Sequence, residues 1–157
     1  MAHTQLGQNS GTNTDENPLK NKFIFIVEDN AQNRVVYQMV LGMSGARVDF
    51  ERWGREVISR LKMRQVDLII LDLMLYNGIS GYEIFTEIRK NSDYDQVPIV
   101  AVSAAEPAVA LPKTQQMGFS GFIAKPVDDD LFPKQIAQIL AGQPIWYGGG
   151  RYHGTSG

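Results

Sequence analysis

Five short apolar runs recur along the chain, and between them the apolar residues change to three-and-four spacing. The runs are FIFIV (23–27), ARVDF (46–50), DLIIL (67–71), VPIVAV (97–102) and GFIA (121–124). Their length and β-branched content predict strands, and those bare of polar residues predict strands covered on both faces. After Asn30, a good helix N-cap, Val36, Met39, Val40 and Met43 mark a first helix that Gly45 stops. Val57, Ile58 and Leu61 mark a second helix, and Ile84, Phe85 and Ile88 a third. Between Glu106 and Met117 the helical pattern meets Pro107 and Pro112, which predicts a shortened or distorted fourth helix. Leu131, Ile136, Ile139 and Leu140 predict a fifth, with Pro133 confining its regular part to the later residues. Five strands alternating with five helices predict an α/β fold, a doubly wound parallel sheet with helices on both faces.

The ends of the chain read differently. Residues 1–20 are rich in Asn, Gln, Thr, Ser and Gly, and predict a disordered N-terminal tail before a domain spanning 21–142. Residues 143–157 form a Gly-rich, aromatic C-terminal tail. Its glycines argue for mobility, whereas Trp146, Tyr147 and Tyr152 carry apolar area that argues for docking on the domain.

Composition narrows the classes of function. Of 157 residues, 43% are hydrophobic and 20% charged, as in ordinary globular proteins. With 15 basic and 17 acidic residues the net charge is −2, which gives no general attraction to nucleic acid or to anionic lipid. The absence of cysteine excludes disulfides, thiolate metal sites and cysteine nucleophiles. No apolar run approaches membrane-spanning length and no secretory signal is evident, so the expected location is the cytoplasm.

In a parallel sheet of this kind, reactive groups gather beyond the carboxyl ends of the strands. The first strand ends in Glu28-Asp29, the third in Asp72, the fourth in Ser103, and the fifth runs into Lys125-Pro126. Three carboxylates, a hydroxyl and an amine would converge on one edge. Clustered carboxylates repel one another and suit a hard divalent cation such as Mg²⁺. The amine and hydroxyl suit the added oxygens of a phosphoryl group carried by the third carboxylate. Taken singly, each residue has a blander use, as a helix cap, turn residue or surface charge. Asp72 resists that reading, because it follows the most apolar strand, where an unpaired carboxylate is costly.

With these residues in place, the chain resembles the receiver domains of two-component response regulators, of the chemotaxis-regulator type. The resemblance runs from about Lys22 to Gly142 and rests on IFIVEDN, DLIILDLML, SGYEIFTEIR, VPIVAVSA and GFIAKP. It implies a flavodoxin-like sheet of strand order 2-1-3-4-5. It also implies Glu28 and Asp29 as the acidic pair of a Mg²⁺ site completed by Asp72 and the backbone carbonyl of Met74. Asp72 would be the phospho-acceptor, Ser103 the switch hydroxyl, Lys125 the phosphate-pairing lysine and Phe122 the aromatic that moves on activation. A cis Lys125–Pro126 bond is implied as well. The implied partners are a sensor histidine kinase or phosphotransfer protein and a downstream protein target, with neither nucleic acid nor membrane; a homodimer is compatible with the sequence. The short segment after the fifth helix predicts no output domain, so signalling is expected to run through protein contacts.

Three departures from the family pattern stand out. The loop MLYNGISGYE has Tyr76 where a proline is usual, Ser80 where an aspartate is usual, and one extra residue. Ser103 replaces the commoner threonine, and the two prolines of the fourth helix bear on the usual output surface. The resemblance implies that the side chains at the positions of Met74 and Ala105 flank the path of a hydrolytic water; neither residue here can orient it, which predicts a long-lived phosphorylated state. Competing readings are weaker. A dehalogenase-type phosphatase needs a second acid two positions after the nucleophile, where Met74 stands, so no enzyme activity beyond slow self-dephosphorylation is expected. A flavodoxin-like nucleotide binder needs a glycine-rich loop after the first strand, which is missing. A phosphorylation-independent pseudo-receiver is the alternative that the altered loop keeps open.

Overall fold

Alternate residues of the inner strands are apolar on both sides, and the chain supplies helices to cover both. The computed structural model describes residues 17–76 and 78–150. In chain order the elements are β1 (Phe23–Val27), α1 (Ala31–Met43), β2 (Arg47–Glu51), α2 (Val57–Leu61), β3 (Leu68–Leu71), α3 (Gly81–Arg89), β4 (Ile99–Ser103), α4 (Pro107–Met117), β5 (Gly121–Ala124), α5 (Leu131–Leu140) and β6 (Ile145–Tyr147). All neighbouring strands pair in parallel, in the order β2-β1-β3-β4-β5-β6. Phe25, Val27, Ile69, Leu71, Ala101 and Phe122 face α2, α3 and α4. Ile24, Ile26, Leu68, Ile70, Val102 and Ile123 face α1 and α5. That two-residue alternation is the pleat of the sheet, with both sides covered.

Four expectations need correction. The sheet has six strands, not five, because Ile145–Tyr147, inside the segment read as a C-terminal tail, adds beside β5; of the aromatics that argued for docking, Trp146 and Tyr147 lie in this strand, while Tyr152 lies outside the described residues. α1 buries Tyr37, Val40 and Leu41, whereas Met39 and Met43 are exposed. Two stripes of three-and-four spacing overlap on this helix, and packing against Phe132, whose ring centre lies 5.7 Å from that of Tyr37, selects the one carrying the tyrosine. α4 runs its full 11 residues: Pro107 sits in the first turn, where no donor is missed, and Pro112 is accommodated inside. α5 likewise starts at Leu131, since Pro133 falls among the first four residues, whose N–H groups have no intrahelical partner.

Order also begins earlier than the pattern suggested. Leu19 is fully buried and its N–H donates to the Ser44 carbonyl at 2.9 Å, so the fold starts within the expected 1–20 tail. Residues 1–16 of that tail lie outside the described residues. No helix among the described residues is long and apolar enough to cross a membrane.

Candidate functional site

The parallel arrangement brings the ends of β1, β3, β4 and β5 to one edge. Glu28 and Asp29 follow β1, Asp72 follows β3, Ser103 closes β4 and Lys125 follows β5. The Lys125 Nζ lies 2.9 Å from Glu28 Oε2 and 2.8 Å from Asp72 Oδ2, so one ammonium bridges two buried carboxylates. Glu28, Asp29 and Asp72 each present an oxygen, and these oxygens lie within 4.8 Å of one another. The cluster opens into a cavity of about 340 Å³ that Met74, Tyr76 and Ala104 also line.

The electrostatics follow from burial. Desolvation raises the Glu28 carboxyl above its usual value, and the hydrogen bonds from Asn33 and Lys125 only partly offset it. For Lys125, desolvation pulls downward, but the hydrogen bonds and charges of Asp72 and Glu28 outweigh it and hold the ammonium above the usual lysine range. Burial also raises the nearby Tyr37 phenol, with the charges of Glu28 and Asp72 adding to it.

Several neighbours that sequence reasoning did not single out hold the acidic pair in place. Asn33 Nδ2 donates to Glu28 Oε1 at 3.0 Å, and Arg34 donates to the carbonyls of Glu28 at 3.1 Å and Asp29 at 2.7 Å. Asn30 caps α1 by accepting from the Asn33 N–H at 3.0 Å, which carries Asn33 and Arg34 back over β1. Polar residues in the first turn after an acidic pair are the signal that could have found them. Tyr76 N–H donates to Asp29 Oδ2 at 2.7 Å, so the unusual loop contributes its backbone while its phenol ring points into solvent. Asn77 of that loop lies outside the described residues. Ser80 replaces the aspartate without losing its use: it caps α3, accepting from Glu83 N–H while Glu83 accepts from Ser80 N–H.

The remaining predicted residues fall into place unevenly. Ser103 is fully buried, and its hydroxyl accepts from the Ala105 N–H at 3.2 Å instead of reaching Asp72 or Lys125. Phe122 is fully buried on the α4 side of the sheet, two residues before Ala124, the register partner of Ser103. Met74 donates its N–H to Asp72 Oδ1 at 3.1 Å, and its side chain is exposed. The Lys125–Pro126 bond is cis.

A family model described as the response regulator receiver domain matches residues 24–137. The chain belongs to this family. Its relatives include the transcriptional regulatory protein AfsQ1 of Streptomyces coelicolor, 28% identical over 74% of this chain and 50% of AfsQ1. The CAI-1 autoinducer sensor kinase/phosphatase CqsS of Vibrio cholerae is 28% identical over 73% of this chain, yet that match spans only 17% of CqsS. The polar-differentiation response regulator DivK of Brucella ovis is 27% identical over 76% of this chain and 96% of DivK. This receiver therefore spans half the length or less of some relatives and nearly the whole of another. Among solved structures, the chemotaxis response regulator CheY4 of Vibrio cholerae superposes with a TM-score of 0.68 at 21% identity, over 75% of this chain and 98% of CheY4. The signal receiver domain of a histidine kinase from Syntrophus aciditrophicus gives 0.68 at 22% identity, over 86% and 97%. These likenesses establish the flavodoxin-like receiver fold.

Proposed function

We propose that this receiver works as a response-regulator switch that takes a phosphoryl group from a histidine kinase or phosphotransfer protein onto Asp72. The observation that carries the reading is the Lys125 ammonium, 2.8 Å from Asp72 and 2.9 Å from Glu28, inside a cluster of three convergent carboxylates. In the transfer, an Asp72 carboxylate oxygen forms a bond to phosphorus as the N–P bond of the donor phosphohistidine breaks. The electron pair returns to the imidazole, which picks up a proton. Lys125 then pairs with phosphoryl oxygens, and Ser103 turns its hydroxyl toward them as donor.

A hard, oxygen-only donor set fits Mg²⁺, which Glu28, Asp29, Asp72 and the Met74 carbonyl would hold. When bound, that ion supplies neutralisation of charge among the carboxylate and phosphoryl oxygens. The chain's own residues set the geometry: Asn33 and Arg34 fix the acidic pair, and the Tyr76 N–H orients Asp29. The protein is a switch and not an enzyme in its own right, with slow self-dephosphorylation at most. Its output is a protein contact.

Incubation of the full chain with acetyl phosphate and Mg²⁺, followed by intact mass measurement, tests this. The wild type should gain one phosphoryl group and Asp72→Asn none, because the amide is a poor nucleophile. Equal uptake by both would remove Asp72 as the acceptor. No uptake by either would favour the pseudo-receiver.

A further inference from the structure

Without β6, the fifth strand would form the edge of the sheet. Here Gly121 pairs with Ile145, Phe122 with Trp146 and Ile123 with Tyr147. The approach is close: a Cβ built on Gly121 would lie 2.7 Å from the Ile145 carbonyl oxygen. Partners in a parallel register share a face, so Trp146 lies beside Phe122 and packs against the α3–α4 side of the core. Phe122 has no exposure left. Trp146 is its register neighbour on the outer strand, on the same face.

The same face leads back to the phospho-acceptor site. Ala101 is the register partner of Phe122, and Ser103 that of Ala124. One row therefore runs from Ser103 and Ala124 to Ala101, Phe122 and Trp146. The neighbours of Phe122 along that row are alanines, whose side chains end at Cβ and obstruct a shift toward Ser103 least. By contrast with the inner strands, β6 is short: its three residues, each half-buried and packed against the core, lie between the turn at Gly142 and the glycines 148–150. A three-residue edge strand has fewer contacts to break on opening than the central strands.

We propose that the outer edge of β5 is a strand-accepting interaction surface, covered by the chain's own Ile145–Tyr147 and uncovered when Asp72 is phosphorylated. The inference rests on the phospho-switch reading above. Ser103 drawn toward the phosphoryl group frees volume, Phe122 shifts into it, and Trp146 loses its backing. β6 then detaches and leaves the β5 N–H and C=O groups for a partner. That partner is an extended apolar and aromatic segment lying parallel to β5, the chemistry that Ile145–Tyr147 itself displays.

The test uses the full chain carrying Trp53→Phe, so that Trp146 is its single indole. Acetyl phosphate and Mg²⁺ phosphorylate it, Asp72 bonding to phosphorus as acetate leaves, and intact mass gives the occupancy. Phosphorylation should red-shift Trp146 emission and accelerate amide exchange at Ile145–Tyr147 about tenfold or more, with neither change in Asp72→Asn. Phe122→Leu, compared at equal phosphoryl occupancy, should lose most of the response. A phosphorylated chain with unchanged or slower exchange overturns the proposal, and a full response in Phe122→Leu overturns the route through that ring. Absence of any phosphoryl gain overturns the phospho-switch reading and this inference with it.

Discussion

Replacing Lys125 with methionine would leave Glu28 and Asp72 facing one another without their shared cation. Their side chains are 2% and 6% exposed, and that of Lys125 is 13% exposed, so water can compensate little. Removing one partner of a buried ion pair costs about 3–5 kcal/mol. The lower end applies here, because Asn33 and the Asn30 and Met74 N–H groups still hydrogen-bond the two carboxylates. At about 2–4 °C per kcal/mol for a domain of this size, a loss near 3 kcal/mol lowers Tm by roughly 6–12 °C. The penalty depends on pH with a definite sign. Burial already holds Glu28 above its ordinary 4.5, and loss of the ammonium raises it further. A carboxyl with a raised native pKa binds more protons in the folded state, so stability falls as pH rises through that window. The gap between variant and wild type is then full at neutral pH and narrows on acidification toward 4.5. Lys125 stays charged throughout that window, since its own value is raised above 10.5 and its stabilising contribution is lost only beyond that. Thermal unfolding of both proteins at neutral pH and at about pH 5, with and without Mg²⁺, measures the effect. Mg²⁺ should also narrow the gap by replacing the missing positive charge. A gap equal at both pH values and indifferent to Mg²⁺ would refute the argument from buried like charges.

Other substitutions probe separate parts of the site. Met74→Asn places a polar group beside Asp72 that can orient water; a barrier lowered by about 1.4 kcal/mol speeds phosphoryl loss tenfold, and equal or slower decay measured by intact mass would reject that use of Met74. Gly81→Ala sets a Cβ against the Asp72 carbonyl oxygen, where only backbone could give way. The overpacking should cost about 1–3 kcal/mol in denaturant unfolding, and an unchanged midpoint would show that α3 moves freely. Asp29→Asn should weaken Mg²⁺ binding, measured by titration, by removing one hard anionic oxygen from the cluster. Unaltered affinity would take Asp29 out of the site.

Much of this is legible in the sequence. The alternation of five strands with five helices, the residues at the strands' carboxyl ends and the Asn30 cap are local signals that tertiary packing reinforces, whereas the spatial order of those strands is implied only by the family resemblance. The sequence does not reveal the buried face of α1, because Met39 and Met43 satisfy the same spacing as Tyr37 and Leu41, and periodicity cannot choose between offset stripes. Prolines 107, 112 and 133 count as helix breakers in a sequence, yet two of the three fall in first turns that need no N–H donor. The role of Arg34 is invisible in the sequence because its bonds go to backbone carbonyls, which no residue pattern displays. β6 is not legible because three residues between glycines carry no measurable alternation.

The GFIA strand carries no charge, proline or bulge, the usual devices that stop one sheet edge from templating another chain. Left bare, it would invite end-to-end pairing between molecules during synthesis and in concentrated solution. Ile145–Tyr147 replaces that edge with one too short to propagate, closed by three glycines of poor strand propensity. At the other margin, β2 presents Arg47 and Asp49, whose charges disfavour stacking of sheets. Colloidal stability in this receiver is thus assigned to a segment whose composition looks like a linker. A shortened version ending at Gly142 would keep the acceptor site and lose its protection against self-association.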